Sequence, residues 1–87
     1  MNDKSNTFPC PCCGYLTKAE PDYGTFMICP VCFWEDDCAH FYNDPNCRGG
    51  ANEESLNESK ENFKKFGACS KEAIKFVRDP LPDELPK

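Results

Sequence analysis

A small α+β fold, its strands short and its helices gathered towards the C-terminal end, follows from three features of the chain. Two Cys-x-x-Cys units, Cys10-Pro11-Cys12-Cys13 and Cys29-Pro30-Val31-Cys32, stand fifteen residues apart. A β-favouring run, Thr25-Phe26-Met27-Ile28, leads into the second of them. A capped amphipathic segment opens at Ser55 and stops at Gly67.

The spacing of the two cysteine units is that of a four-cysteine metal site. A tetrahedral ion takes four sulfur donors at ~2.3 Å, and two residues between paired cysteines let both thiolates face one point. The candidate ligands are therefore Cys10, Cys13, Cys29 and Cys32. Each unit carries a proline that pre-sets a backbone angle, and Gly14 frees the chain where it leaves the first turn. Phe33 stands where a glycine would do the same for the second turn, and it is strained if its φ is positive.

A chain of 87 residues allows one domain with a thin stability margin. Bound zinc staples such a domain, since its binding free energy in small peptides is of order 10 to 16 kcal/mol. Eight cysteines could instead build disulfides, but only in an oxidising compartment. The polar start, Met1 to Asn6, and the lack of a long apolar run argue for a cytoplasmic protein with no membrane span. A net charge of −5 opposes a nucleic-acid backbone and suits a neutral or basic protein partner.

In chain order, residues 1–6 read as a disordered leader, 7–78 as a single domain with its metal core over 8–37, and 79–87 as an extended tail holding Pro80, Pro82 and Pro86. Thr7-Phe8 and Tyr15-Leu16-Thr17 flank the first cysteine turn as a hairpin, and Lys18 to Gly24 is turn-rich. With Thr25 to Ile28 delivering Cys29, the layout is that of a two-knuckle zinc ribbon or rubredoxin-like core. Phe8, Tyr15, Phe26 and Trp34 are expected to pack around the metal. Glu35-Asp36-Asp37 reads as a solvated acidic face rather than as a second site built from Asp36, Asp37, His40 and Asp44. Arg48 to Asn52 is a loop, and it lacks the lysine-serine/threonine ending of a phosphate loop.

A helix is predicted over about 55–66, with Ser55-Leu56-Asn57-Glu58 as a capping box. Leu56, Phe63 and Phe66 share a face with Ser59, while Lys60, Glu61, Lys64 and Lys65 face solvent. A shorter helix is predicted over about 70–77, carrying Ile74 and Val77 and ended by Asp79-Pro80.

Taken together, Cys10-Pro11-Cys12-Cys13-Gly14-Tyr15, Cys29 through Asp37, Gly49-Gly50-Ala51-Asn52, Ser55-Leu56, Asn62-Phe63 and Phe66-Gly67 make the chain resemble the bacterial cysteine-rich CPCC family over Phe8 to Ala68. That resemblance implies a zinc-ribbon-like or rubredoxin-like metal domain and brings no established activity with it. Cys12 falls within the motif that names the family, whereas Cys38 and Cys47 look like additions to its pattern.

Three function classes follow. A structural four-cysteine zinc site, one ion per chain, would make the protein an interaction module with a protein partner. An iron in the same four thiolates would make it a rubredoxin-like redox protein, and a thiol-exchange variant would draw on Cys12, Cys38 or Cys69. A hydrolytic enzyme would pair His40 with Asp36 or Asp37, for which 87 residues and one histidine give little material. The expectation is a non-enzyme. An acidic immunity or antitoxin-type binder of a basic partner remains a further alternative on charge alone.

Overall fold

A computed structural model describes residues 7–86. The leader expected over 1–6, and Lys87, lie outside the described residues. Strands β1 (Phe8–Pro9) and β2 (Leu16–Lys18) pair antiparallel, with Phe8 opposite Lys18, Pro9 opposite Leu16 and an irregularity between. They form the hairpin expected around the first cysteine turn. The strand expected at Thr25 to Ile28 is reduced to an isolated bridge between Ile28 and Glu35. Phe26 takes φ 57°, a left-handed value that interrupts a regular ladder. The segment pairs irregularly instead, through Gly24 N to Asp37 O at 2.8 Å, Phe26 N to Asp36 O at 3.0 Å and Asp36 N to Met27 O at 2.9 Å.

Helix α1 (Ala39–Asn43) follows, a single short element not predicted from the sequence. Helix α2 (Leu56–Phe66) matches its expected span to within one residue. Its capping box is complete: Ser55 Oγ accepts from Glu58 N at 3.1 Å, and Glu58 Oε1 accepts from Ser55 N at 2.8 Å. Gly67 closes it at φ 79°, donating to Phe63 O. The same Glu58 carboxylate takes a two-pronged ion pair from Arg48, at 2.7 and 2.8 Å, and so ties the preceding loop to the first turn of α2. Arg48 first of all, with Ser55 N, holds that carboxyl down at about 2.

The C-terminal reading holds in part. The shorter helix expected over about 70–77 forms at Lys71–Phe76, as a 3-10 helix. The stretch 79–87, expected as extended, contains a 3-10 turn at Pro82–Glu84 lying beside β2. Arg78 clamps Glu84 with two bonds of 2.9 Å, and Leu81 N donates to Glu84 Oε1 at 2.8 Å. Proline opening the turn and a glutamate at its third position are helix-start signals that a reading of the prolines as extended passed over.

The core gathers on the second cysteine turn. Val31, Cys32, Trp34, Leu56, Ala68, Cys69 and Ala73 are buried together. The C-terminal segment is stitched to that turn by Cys69 N to Cys32 O at 2.7 Å and Arg78 N to Pro30 O at 3.1 Å. α2 buries Leu56 and Ser59 and presents Phe63 edge-on to Tyr15, with ring centroids 6.2 Å apart. Of the four aromatics expected to pack round the metal, Trp34 is 2% exposed and Phe8 and Tyr15 are half-buried, but Phe26 is 54% exposed. Among the described residues no helix is long and apolar enough to cross a membrane.

Candidate metal centre

The two cysteine turns are built alike. In the first, Cys10 N donates to Tyr15 O and Gly14 N to Cys10 O, both at 2.8 Å. In the second, Cys29 N donates to Trp34 O at 2.9 Å and Phe33 N to Cys29 O at 2.8 Å. Each turn thus closes between its first cysteine and the residues four and five later. The residue four later is left-handed in both, Gly14 at φ 83° and Phe33 at φ 73°. Glycine adopts that angle freely, whereas a side-chain-bearing residue there costs roughly 1 to 2 kcal/mol. Phe33 offsets the cost by packing against the core and stacking on Phe76, centroids 5.2 Å apart.

These turns bring the Sγ atoms of Cys10, Cys13, Cys29 and Cys32 within 4.8 Å of one another. Cys10 and Cys32 stand 3.6 Å apart, and Cys13 and Cys29 3.8 Å apart. Four sulfurs at ~2.3 Å from a shared centre lie ~3.8 Å from each other, so the cluster has the dimensions of a tetrahedral thiolate cage. A disulfide would need about 2.05 Å, and none of the cysteines is in one. The donor set therefore fits a metal ion. Cys10, Cys29 and Cys32 are buried and Cys13 is half-buried.

Hydrogen bonds to the sulfurs complete the cage. Val31 N donates to Cys29 Sγ and Trp34 N to Cys32 Sγ, both at 3.4 Å, and Thr17 Oγ1 lies 3.1 Å from Cys29 Sγ. Thr17 was not singled out from the sequence, where a threonine in a strand carries no signal. The thiols titrate as a set. Hydrogen bonds from Cys10, Cys13 and Cys32, with Thr17, hold Cys29 well below the ordinary thiol range, while bonding first of all to Cys10 pushes Cys32 up.

The remaining candidates are distributed elsewhere. Cys12 is buried just outside the four-sulfur cluster, and Cys69 is buried with its thiol pushed up to about 12 by loss of solvent. Cys38 is exposed. The acidic run is not a solvated face, and this overturns the expectation for Asp36 and Asp37, which are both buried. Asp36 Oδ2 receives Lys18 Nζ at 3.1 Å, Thr25 N at 3.1 Å and Thr25 Oγ1 at 2.7 Å. Its Oδ1 receives Tyr42 OH at 2.6 Å. Tyr42 in turn accepts from Trp34 Nε1 at 3.0 Å and Asp37 N at 2.9 Å. Burial pushes the Asp36 carboxyl up, but the bonds from Tyr42, Thr25 and Lys18 together outweigh it and hold the carboxyl low.

Asp37 receives Cys38 N on Oδ1 and Ala51 N on Oδ2, each at 2.9 Å. These carboxylates are committed to the fold, and the exposed His40 pairs with neither of them: its Nε2 lies 3.4 Å from Cys47 Sγ. Asn52 clasps Glu35 from both sides, accepting from its N–H and donating to its carbonyl at 2.9 Å each, as a strand neighbour would. Gly50 is required by space: a Cβ there would strike Asp37 Oδ2 and come within 2.7 Å of the Phe41 ring. The Gly49-Gly50-Ala51-Asn52 motif is therefore a brace for the backbone that leaves the second cysteine turn, not a ligand loop.

The family model described as cysteine-rich CPCC matches residues 8–84. A comparison with curated proteins finds no match.

Proposed function

The chain belongs to the cysteine-rich CPCC family, and on that premise we propose that it is a small zinc-binding protein whose Cys10, Cys13, Cys29 and Cys32 hold one ion in a structural, zinc-ribbon-like site. The observation that carries this reading is the set of four sulfurs at tetrahedral spacing on two matching turns. Four protein ligands leave no coordination position for a substrate, so the ion cross-links the chain and does no chemistry. What such a domain offers other molecules is surface, and its role is to bind a protein partner. Phe26, Met27 and Ile28, about half exposed on the segment entering the second turn, support an apolar component in that contact. An acidic antitoxin-type surface loses its best-placed charges with the burial of Asp36 and Asp37.

Native mass spectrometry of freshly purified protein, with a visible spectrum, tests the proposal. One zinc per chain and no visible band are expected; an iron-thiolate absorption would replace the structural reading with the rubredoxin-like one. Cys13→Ser is expected to lose both the ion and cooperative melting. If that variant retains both, the four-thiolate staple is wrong.

A further inference from the structure

Outside the metal cluster, one nucleophile and one base are held together. Cys47 Sγ lies 3.4 Å from His40 Nε2, on the exposed side of the molecule. The two come from different elements, and each is fixed independently. His40 sits in α1, its ring edge-on to Phe41 with centroids 5.0 Å apart. Cys47 sits at the end of a turn closed by Cys47 N to Asp44 O at 2.9 Å. The next residue, Arg48, is anchored on α2 by its two bonds to Glu58. The sulfur is half-buried and the imidazole exposed, so a small reagent can reach the pair while the ring stays in place.

We propose that Cys47 is a reactive thiol activated by His40, and that it is a site of modification by small disulfides. The thiolate is the nucleophile in sulfur exchange, and an imidazole within hydrogen-bond reach is the usual means of generating it. In the step itself, the Cys47 thiol proton passes to His40 Nε2 and the sulfur attacks one sulfur of the disulfide. The new S–S bond joins Cys47 to that half, and the old one breaks. The other half leaves as a thiolate that takes up a proton, from His40 or from water. No net oxidant is consumed beyond the disulfide.

The other thiols do not compete on these terms. Four belong to the metal cluster, Cys12 and Cys69 are buried, and Cys38 is exposed with no imidazole bond among those the structure gives it. The modification would fall on the loop that Arg48 and Asn57 hold against α2, through Asn57 N to Pro45 O at 3.0 Å and Asn57 Nδ2 to Asn46 Oδ1 at 3.0 Å. It would add bulk there without touching the metal ligands.

The test uses the full, metal-loaded chain at neutral pH. It is mixed with excess 4,4′-dithiodipyridine, an uncharged disulfide whose released half absorbs, and the modified residue is mapped by mass spectrometry. The expected result is one fast equivalent, mapped to Cys47, abolished by Cys47→Ser and retained in Cys38→Ser. His40→Gln should slow it by on the order of tenfold, because it removes the base within reach of the thiol proton. A fast phase that survives Cys47→Ser, maps to Cys38, or keeps its rate in His40→Gln overturns the proposal. Melting curves of the variants, which change only exposed or half-exposed side chains, show whether a lost phase reflects a lost fold. If one variant is unfolded, Cys47→Ala and His40→Asn provide the same comparison.

Discussion

Replacing Asp36 by asparagine is the sharpest probe of how the metal turns are supported. The carboxylate is 3% exposed at its side chain and Lys18 opposite is 8% exposed. All four hydrogen bonds it accepts come from donors: Lys18, the Thr25 hydroxyl and amide, and Tyr42. An asparagine keeps one oxygen and turns an NH2 towards the other side. Aimed at Thr25 and Lys18, that group meets an ammonium, a backbone N–H and a hydroxyl that already accepts from Met27 N. Aimed at Tyr42, it meets an oxygen already accepting from Trp34 and Asp37. Neither orientation satisfies the site, and Lys18 is left buried without its counter-charge. Removing one partner of a buried pair costs about 3 to 5 kcal/mol, a large share of the about 5 to 15 kcal/mol that holds a domain together.

Urea denaturation of the metal-loaded protein measures this. Lys18→Met in the Asp36→Asn background should recover part of the loss, because it removes the stranded ammonium. A loss under about 1 kcal/mol, typical of an exposed pair, would refute the reasoning, as would a double variant whose losses simply add. The sign with pH is fixed by the depressed carboxyl of Asp36. Its contribution is complete above the unfolded carboxylate value of about 3.9 and is lost as pH falls through the lower folded value. The gap between wild type and Asp36→Asn should therefore narrow in that acid window and hold steady above it.

Other outcomes follow from single contacts. Gly50→Ala should destabilise by about 1 to 3 kcal/mol in the same denaturation assay, because its methyl group has to displace Asp37 or Phe41, whereas a change below about 0.5 kcal/mol would show the loop to be slack. Thr17→Val should shed the ion to a competing chelator faster than Thr17→Ser does, since only the serine keeps a hydroxyl near Cys29; equal release rates would count against that bond. Ser59→Ala should stabilise by about 0.5 to 2 kcal/mol, because the Ser59 hydroxyl is buried with no partner among the described residues and alanine is the better helix former. Cys12→Ser should keep the metal that Cys13→Ser loses, read by native mass spectrometry, since Cys12 stands outside the four-sulfur set.

Local rules with short reach were legible in the sequence. The Ser55 to Glu58 box and the Gly67 stop depend on residues three or four apart, and both formed as expected. The two cysteine turns likewise follow from spacing alone, and even the left-handed Phe33 could be anticipated from the place that Gly14 holds in the first turn. Readings that needed a partner distant in sequence failed. Nothing in Glu35-Asp36-Asp37 reveals that Lys18 and Tyr42 will arrive from both sides, so the run looked like a wet surface. Phe26 looked like core because phenylalanine generally is, and its positive φ turns it outward instead. Cys47 and His40 are seven residues apart with no recognised motif, and only the turn after α1 brings them together.

The two cysteine turns share one geometry yet differ in cover. Cys32 lies beneath the returning C-terminal segment, while Cys13 keeps a half-open sulfur next to the exposed Gly14. An ion in this cage would have a weather side. Water, acid and chelators would all meet Cys13 first, so the cage would come undone from its N-terminal rim, with the covered Cys32 the last to let go.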